Sequence, residues 1–436
     1  MYRSELLSSN IHPIIGVYLG SGSISLREIG KYIRINKLVK ANRRAGTTLV
    51  FFTANDLNFS EENFEGAYFD EKGKKWHKKL FPFPDVVYIR GGGGETDGIL
   101  ERFDELGIKR INPIHAFNKS ELYQFLNENH HLSAHLPTTV NVDKRNEIKN
   151  TILKFRKAYV KAHRGRKGLQ VMRIEKLSKK PGYLYSYSII GRLVRRKANN
   201  MQSLLKNINT FFGDKKVIVQ RAIDLVRINK NRLVDFRAEV QRNKNNEIDI
   251  VGICVRVGSP NSPITTHSSA YRYDVFLPKL FPRYTAKQLM VLKRNIKEFL
   301  HEVYLGVEKK YGKFGEIGID FAVDRKGKIW LIECNAQSAK VSIVKAYGLK
   351  AERVFLNPLE YAKTINYSDR NFFDLVDVPA AVEAEVEVKA EVKAVEPVEA
   401  SETVEASEAV EASEASGAVE AVEAVEAAEV SIEEVS

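Results

Sequence analysis

The sequence predicts an α/β amino-terminal domain with a doubly wound parallel sheet (residues 1–110), an α+β body (111–375) and a disordered Glu/Ala/Val-rich tail (376–436). Three observations predict it. Strand-like and helix-like runs alternate through the first 110 residues, antiparallel-type strands follow one another after that, and beyond Val378 the alphabet collapses to little more than Val, Glu and Ala.

In chain order, IIGVYLG (14–20) reads as a strand and IGKYIRINKLVKANRRAG (29–46) as a helix ended by glycine. TTLVFFTANDL (47–57) and DVVYIR (85–90) read as strands, and ILERFDELGI (99–108) as a helix. The glycine run RGGGGETDG (90–98) fits neither phosphate-binding template. A P-loop needs GxxxxGK[ST], but Gly98 is followed by Ile99 and Leu100. A dinucleotide turn needs GxGxxG, but Thr96 or Asp97 stands where the last glycine belongs. The run is expected to be a flexible turn leaving the strand, at an edge where α/β sheets often bind ligands.

After INP (111–113), KSELYQFLNENH (119–130) is a helix, followed by the strands KAYVKAH, LQVMRIEKL, YLYSYSII, KVIVQRAI, LVDFRAEVQ and EIDIVGICVRVG. Two helices interrupt them, at 199–212 and 285–312. The second carries Leu292, Ile296, Phe299, Leu300, Val303 and Val307 on one face at helical spacing.

The 436 residues carry a net charge of +13, but the tail from Val378 holds 17 Glu against two Lys. That tail is therefore −15 and the remainder +28. So repetitive a segment cannot bury enough apolar surface to offset its ordering entropy. The tail is expected to be disordered; a functional reading, in which it screens the basic body from nucleic acid or recruits a basic partner, is left open by the sequence. No apolar run approaches the ~18 residues needed to span a bilayer, which argues against a membrane and for the cytoplasm. Cys254 and Cys334 lie in strand-like runs and are expected to be buried thiols. Nucleic-acid binding could draw on RLVRRK (192–197), RINKNR (227–232) and Tyr183, Tyr185 and Tyr187. It has no recognition motif, however, and alternating tyrosines are more simply one strand face.

The most informative stretch is GEIGIDFAVDRKGKIWLIECNAQSA (315–339). DRKG (324–327) has the chemistry of a type I turn. If Arg325–Lys328 form the loop, Asp324 pairs with Ile329 and Asp320 lies opposite Glu333. Glu333 and Asn335 then share one face, with Trp330, Ile332 and Cys334 on the other. Two facing carboxylates at ~4 Å repel by about 4 kcal/mol at an effective dielectric near 20. Two neutralising partners remain open: an Arg or Lys from elsewhere, or a hard divalent cation such as Mg²⁺. The cationic residues favour the cation. Lys161 ends a strand, Gly165 and Gly168 follow in a loop that would let backbone approach a phosphate, VIVQRAID (217–224) reads as a strand ending in the polar groups a purine edge would need, and Asp235 and Arg237 share a face.

That order of features resembles the ATP-grasp superfamily, and over roughly residues 10–370 the layout is similar to the YheC/YheD family, described as endospore coat-associated. The resemblance implies a pre-ATP-grasp-like first domain and an ATP-grasp fold after it. It implies that Lys119 and Lys161 contact nucleotide phosphates, that Gly165 to Gly168 cover them, and that Gln220, Ala222 and Ile223 receive adenine. Arg237 would lie near phosphate or substrate, and Arg256 would stabilise the transferred phosphoryl group. Asp320, Glu333 and Asn335 would hold Mg²⁺, or alternatively Mn²⁺. The glycine loop is more basic than in many relatives, and AQSAKVS replaces the usual Pro- and Gly-containing loop after Asn335.

The implied function is an ATP- and Mg-dependent carboxylate–amine ligase acting through an acyl-phosphate in spore formation. The alternative is a non-catalytic nucleotide-binding structural or assembly protein of the spore coat, with coat proteins as partners. No Ser/His/Asp set is present, and His163 and His267 are lone histidines of the structural kind.

Overall fold

The computed structural model describes residues 12–142, 144–163, 170–189, 192–260, 262, 265 and 269–367. Gly165, Gly168, His267 and the acidic tail lie outside them.

Three sheets organise the chain. In the first, Thr48–Phe52, Ile14–Tyr18, Val86–Ile89 and Lys109–Arg110 run parallel in that order. The helix Ile33–Ala45 sets Leu38 and Ala41 in one core with Ile15, Val17 and Phe51, and the helix Thr96–Glu105 sets Leu100 and Phe103 in another with Tyr18, Phe52 and Ile89. Apolar side chains alternate between the two cores, so helices cover both faces as expected. The antiparallel hairpin of Asn63–Asp70 and Lys75–Pro82 on one edge was not foreseen. Its outer strand is largely exposed and carries Lys75, Lys78 and Lys79, so burial leaves little apolar alternation to read.

The glycine run is not a loose turn. A Cβ on Gly91 would stand 1.8 Å from the Leu19 carbonyl oxygen, and one on Gly93 would stand 2.2 Å from Ser21 Oγ. Glycine is required because two loops pack backbone to backbone at the carboxyl ends of neighbouring parallel strands.

The second sheet is antiparallel, in the order Arg192–Ala198, Tyr183–Ile189, Val171–Lys176, Lys157–Ala162, Val217–Arg221, Thr139–Val142. The helices Arg145–Phe155 and Met201–Phe212 cover one face through Ile148, Ile152, Leu204 and Ile208. Tyr183 and Tyr185 are buried in that same core, which commits them to packing rather than to stacking on bases.

The third sheet runs Ser269–Arg272, Ile248–Pro260, Arg232–Arg242, Glu316–Val323, Ile329–Asn335. The helix Ala286–Tyr311 starts at a Thr285/Gln288 capping box, ends at Gly312 and buries all six residues of its expected face. Each buried side chain of that size contributes roughly 1.5–3 kcal/mol. Every residue of Glu316–Val323 is buried, so the strand has cover on both faces. Ile317, Ile319 and Phe321 take the helix side, and Glu316, Gly318 and Asp320 fall on the other.

The hairpin itself corrects the expected register. Asp324 N donates to Lys328 O, and Val323, not Asp324, faces Ile329. An irregularity between Asp320 and Phe321 then restores the expected pairing of Asp320 with Glu333. It also changes the faces: Ile329, Leu331 and Cys334 enter the core, and Trp330 and Ile332 do not.

The helix Arg353–Tyr367 returns to the first domain, where Val354, Phe355, Leu359 and Ala362 share a core with Leu38 and Ala41. Among the described residues, no helix is long and apolar enough to cross a membrane. Cys254 and Cys334 are both buried and unpaired to each other, and burial raises both thiol pKa values.

Candidate nucleotide and metal site

The second and third sheets bring Lys119, Lys161, Gln220, Glu333, Asp320, Arg237 and Arg256 close to one another. Lys161 Nζ donates to Gln220 Oε1 at 2.7 Å on the second sheet. Burial, with nearby Lys119 adding to it and Glu333 on the third sheet opposing, lowers the pKa of Lys161 to about 8. Lys119 Nζ lies 3.1 Å from Glu333 Oε1. Ala222 gives its backbone N–H to Lys157 O, at the end of the strand that carries Gln220.

Asp320 is gripped from two sides. Arg237 donates through Nε at 2.6 Å and Nη2 at 3.1 Å, and Arg256 Nη2 lies 3.0 Å from the same carboxylate. Burial acts to raise the Asp320 pKa, but the two guanidinium groups outweigh it and hold it below the ordinary value. Arg256 also makes a fork-to-fork pair with Asp235, at 2.7 and 2.8 Å. The facing carboxylates are thus neutralised by cations of the chain itself, the first of the two partners left open by the sequence.

The donor set still fits a hard divalent cation. Asp320 and Glu333 are cross-strand partners, and Asn335 Nδ2 faces Gly318 O at 3.4 Å, leaving its amide oxygen to coordinate. No group of three His, Cys, Asp or Glu side chains placed to hold a metal occurs among the described residues, so two carboxylates and an amide are the set available.

A polar stripe runs on from Asp320 toward the first domain, and the sequence reading missed it. Arg237, Glu239 and Gln241 pair with Asp320, Gly318 and Glu316 across adjacent strands. Arg90, next to the glycine run, donates to Glu316 Oε1 at 2.7 Å and to Ser338 O at 2.6 Å. Lys340, in a left-handed conformation with φ 61°, pairs with Glu316 and donates to Tyr88 OH at 3.2 Å. Burial lowers the Lys340 pKa, against the pull of Glu316. One signal was readable: VDFRAEVQ alternates Asp, Arg, Glu and Gln with apolar residues, an unusual pattern for a strand covered on both faces.

Gly318 makes room for this stripe. A Cβ there would stand 2.6 Å from Arg237 Nη1 and 2.9 Å from Ser338 Oγ. Gly318→Ala should therefore destabilise by about 1–3 kcal/mol in equilibrium denaturation; an unchanged midpoint would show that the two side chains yield without cost.

The class of protein is ATP-grasp: a family model described as YheC/D-like ATP-grasp matches residues 107–365. The chain belongs to the YheC/D-like ATP-grasp family. It is 24% identical over 351 residues to the endospore coat-associated protein YheD of Bacillus subtilis (strain 168), covering 76% of this chain and 74% of that protein. The corresponding YheC is 21% identical over 353 residues, covering 79% and 94%. Among solved structures, D-alanyl-alanine synthetase A from Vibrio cholerae O1 biovar eltor str. N16961 matches with TM-score 0.47 and 17% identity, over 81% of this chain and 99% of its own.

Proposed function

We propose that the protein is an ATP-dependent ligase that joins a carboxylate to an amine through an acyl-phosphate. The observation that carries this reading is the convergence of Lys119, Lys161, Arg237 and Arg256 on two cross-strand carboxylates in a largely buried cluster. Phosphoryl transfer needs little covalent help from protein and is driven by positioning and by cations in a dry site.

In this reading Lys119 and Lys161 bind nucleotide phosphates, and Gln220, Ala222 and Ile223 receive adenine. Asp320, Glu333 and Asn335 would hold Mg²⁺, or Mn²⁺ in its place, and that cation would offset phosphate charge. Arg256 and Arg237 face the γ-phosphoryl group. A substrate carboxylate oxygen attacks the γ-phosphorus and ADP leaves; the amine then attacks the acyl carbon, phosphate leaves and the amine proton passes to solvent or phosphate. The names of the relatives suggest a role in spore formation. A second reading, nucleotide binding without turnover in coat assembly, draws on Ser338 and Lys340, which replace the usual loop and are buried, Ser338 in a hydrogen bond to Glu239 and Lys340 in an ion pair with Glu316.

The test is thermal unfolding with ATP, Mg²⁺ or both, for the parent and Glu333→Gln. Ligand at a hundred times its dissociation constant stabilises by about 2.7 kcal/mol. The expected result is a raised midpoint with both together, lost in the variant. No shift in the parent would sink nucleotide binding. A shift without ADP formation from any mixture of carboxylates and amines would favour the assembly reading.

A further inference from the structure

We propose that Ser338 is a positioning residue whose hydroxyl sets the orientation of the Arg237–Asp320 pair. The inference rests on the ligase reading and gives a role to the AQSAKVS stretch, where the sequence departs from the family pattern.

Ser338 is wholly buried and stands where three parts of the molecule meet. Its carbonyl oxygen accepts from Arg90 of the first domain. Its hydroxyl donates to Glu239 Oε1 at 2.5 Å and accepts from Arg237 Nη1 at 3.2 Å. A hydroxyl has one proton to give and two lone pairs, so these contacts fix its rotor. Arg237 meanwhile presents Nε and Nη2 to Asp320. A guanidinium is planar and rigid, so holding it at Nη1 as well as along its Nε/Nη2 edge fixes the plane in which Asp320 is held. Asp320 is also one of the proposed metal ligands, so the chain of contacts runs from the glycine-run domain to the metal site without a gap.

Glu239 makes the arrangement stiff. It is wholly buried, its Oε2 has no partner among the described residues, and Ser338 is the hydroxyl that satisfies Oε1. Burial raises its pKa, with Arg237 and Lys340 opposing. If Ser338 turned away, both carboxyl oxygens would be unsatisfied in a dry interior, so the rotamer that supports Arg237 is strongly preferred. Gly318 keeps the space in which Arg237 and Ser338 approach each other.

The test is a double-mutant cycle on the full chain, with titration calorimetry of AMPPNP in the presence and absence of Mg²⁺. Ser338→Ala should weaken Mg·AMPPNP by about tenfold and metal-free AMPPNP by less, because only the first also loses the Asp320 contact to the metal. Because the effect passes through Arg237, the same substitution should have almost no effect in an Arg237→Lys background. Equal losses in both backgrounds, or no loss in the parent, would overturn the proposal and leave Ser338 a packing residue. A parent that binds no Mg·AMPPNP would instead overturn the ligase reading and this proposal with it. If Ser338→Ala does not fold, Ser338→Cys, which keeps a weak donor, goes through the same cycle with a smaller loss expected in the parent and none in Arg237→Lys.

Discussion

Glu316→Leu should cost the protein about 3–5 kcal/mol in an equilibrium denaturant titration. Glu316 is wholly buried, accepts from Arg90 Nη1 at 2.7 Å and pairs with Lys340, itself only 2% exposed. Without the carboxylate, two cations are left in the interior. Arg90 keeps the Ser338 carbonyl, but Lys340 keeps only the Tyr88 hydroxyl as a side-chain hydrogen-bond partner among the described residues. Breaking a buried pair from one side is far costlier than removing it whole. The double variant Glu316→Leu/Lys340→Met should therefore lose less than Glu316→Leu alone. A single-variant loss below about 1 kcal/mol, or strict additivity in the double variant, would show that water or rearrangement already solvates the trio.

Nucleotide affinity should fall as pH rises through about 8, the value to which burial brings Lys161. Below that pH the side chain is an ammonium that can meet a phosphate, and above it an amine that meets one poorly. The effect on stability has the opposite sign. The folded protein sheds the Lys161 proton near pH 8, whereas the unfolded chain holds it toward the ordinary lysine value of 10.5. Between the two the unfolded state binds more protons, so this group's contribution to stability improves as pH rises. Lys161→Arg, charged throughout, should flatten the binding profile, and Lys161→Met should weaken nucleotide binding by roughly 10- to 150-fold at pH 7, the equivalent of about 1.5–3 kcal/mol. Calorimetry at pH 6.5 and 9 checks both, and a parent profile flat across that range would remove Lys161 from the phosphate contacts.

Much of the framework was legible. The long helix declared its buried face through six residues at helical spacing, and each is buried. The pairing of Asp320 with Glu333 was also legible, although through a register that fails at the turn and is restored three pairs further on, by an irregularity between Asp320 and Phe321. An irregularity of that kind depends on strand twist and on neighbours such as Arg232–Arg242, which a local pattern does not contain. The exposed hairpin strand escaped notice because lysines obscure its alternation.

What the amino-acid sequence determined by itself was local and periodic: the alternation of a two-sided parallel sheet, the amphipathic helix, the cross-strand carboxylates and the family-type order of lysine, arginine and metal-ligand candidates. Only the tertiary structure decided how those carboxylates are neutralised. Arg237 reaches Asp320 across 83 residues, and Arg90 reaches Glu316 across 226. Propensity and periodicity act over a few residues, whereas a buried charge is satisfied by whichever opposite charge the fold carries to it. The Ser338–Glu239 contact, the place of Lys340 and the backbone-to-backbone packing of the glycine run all belong to that second kind.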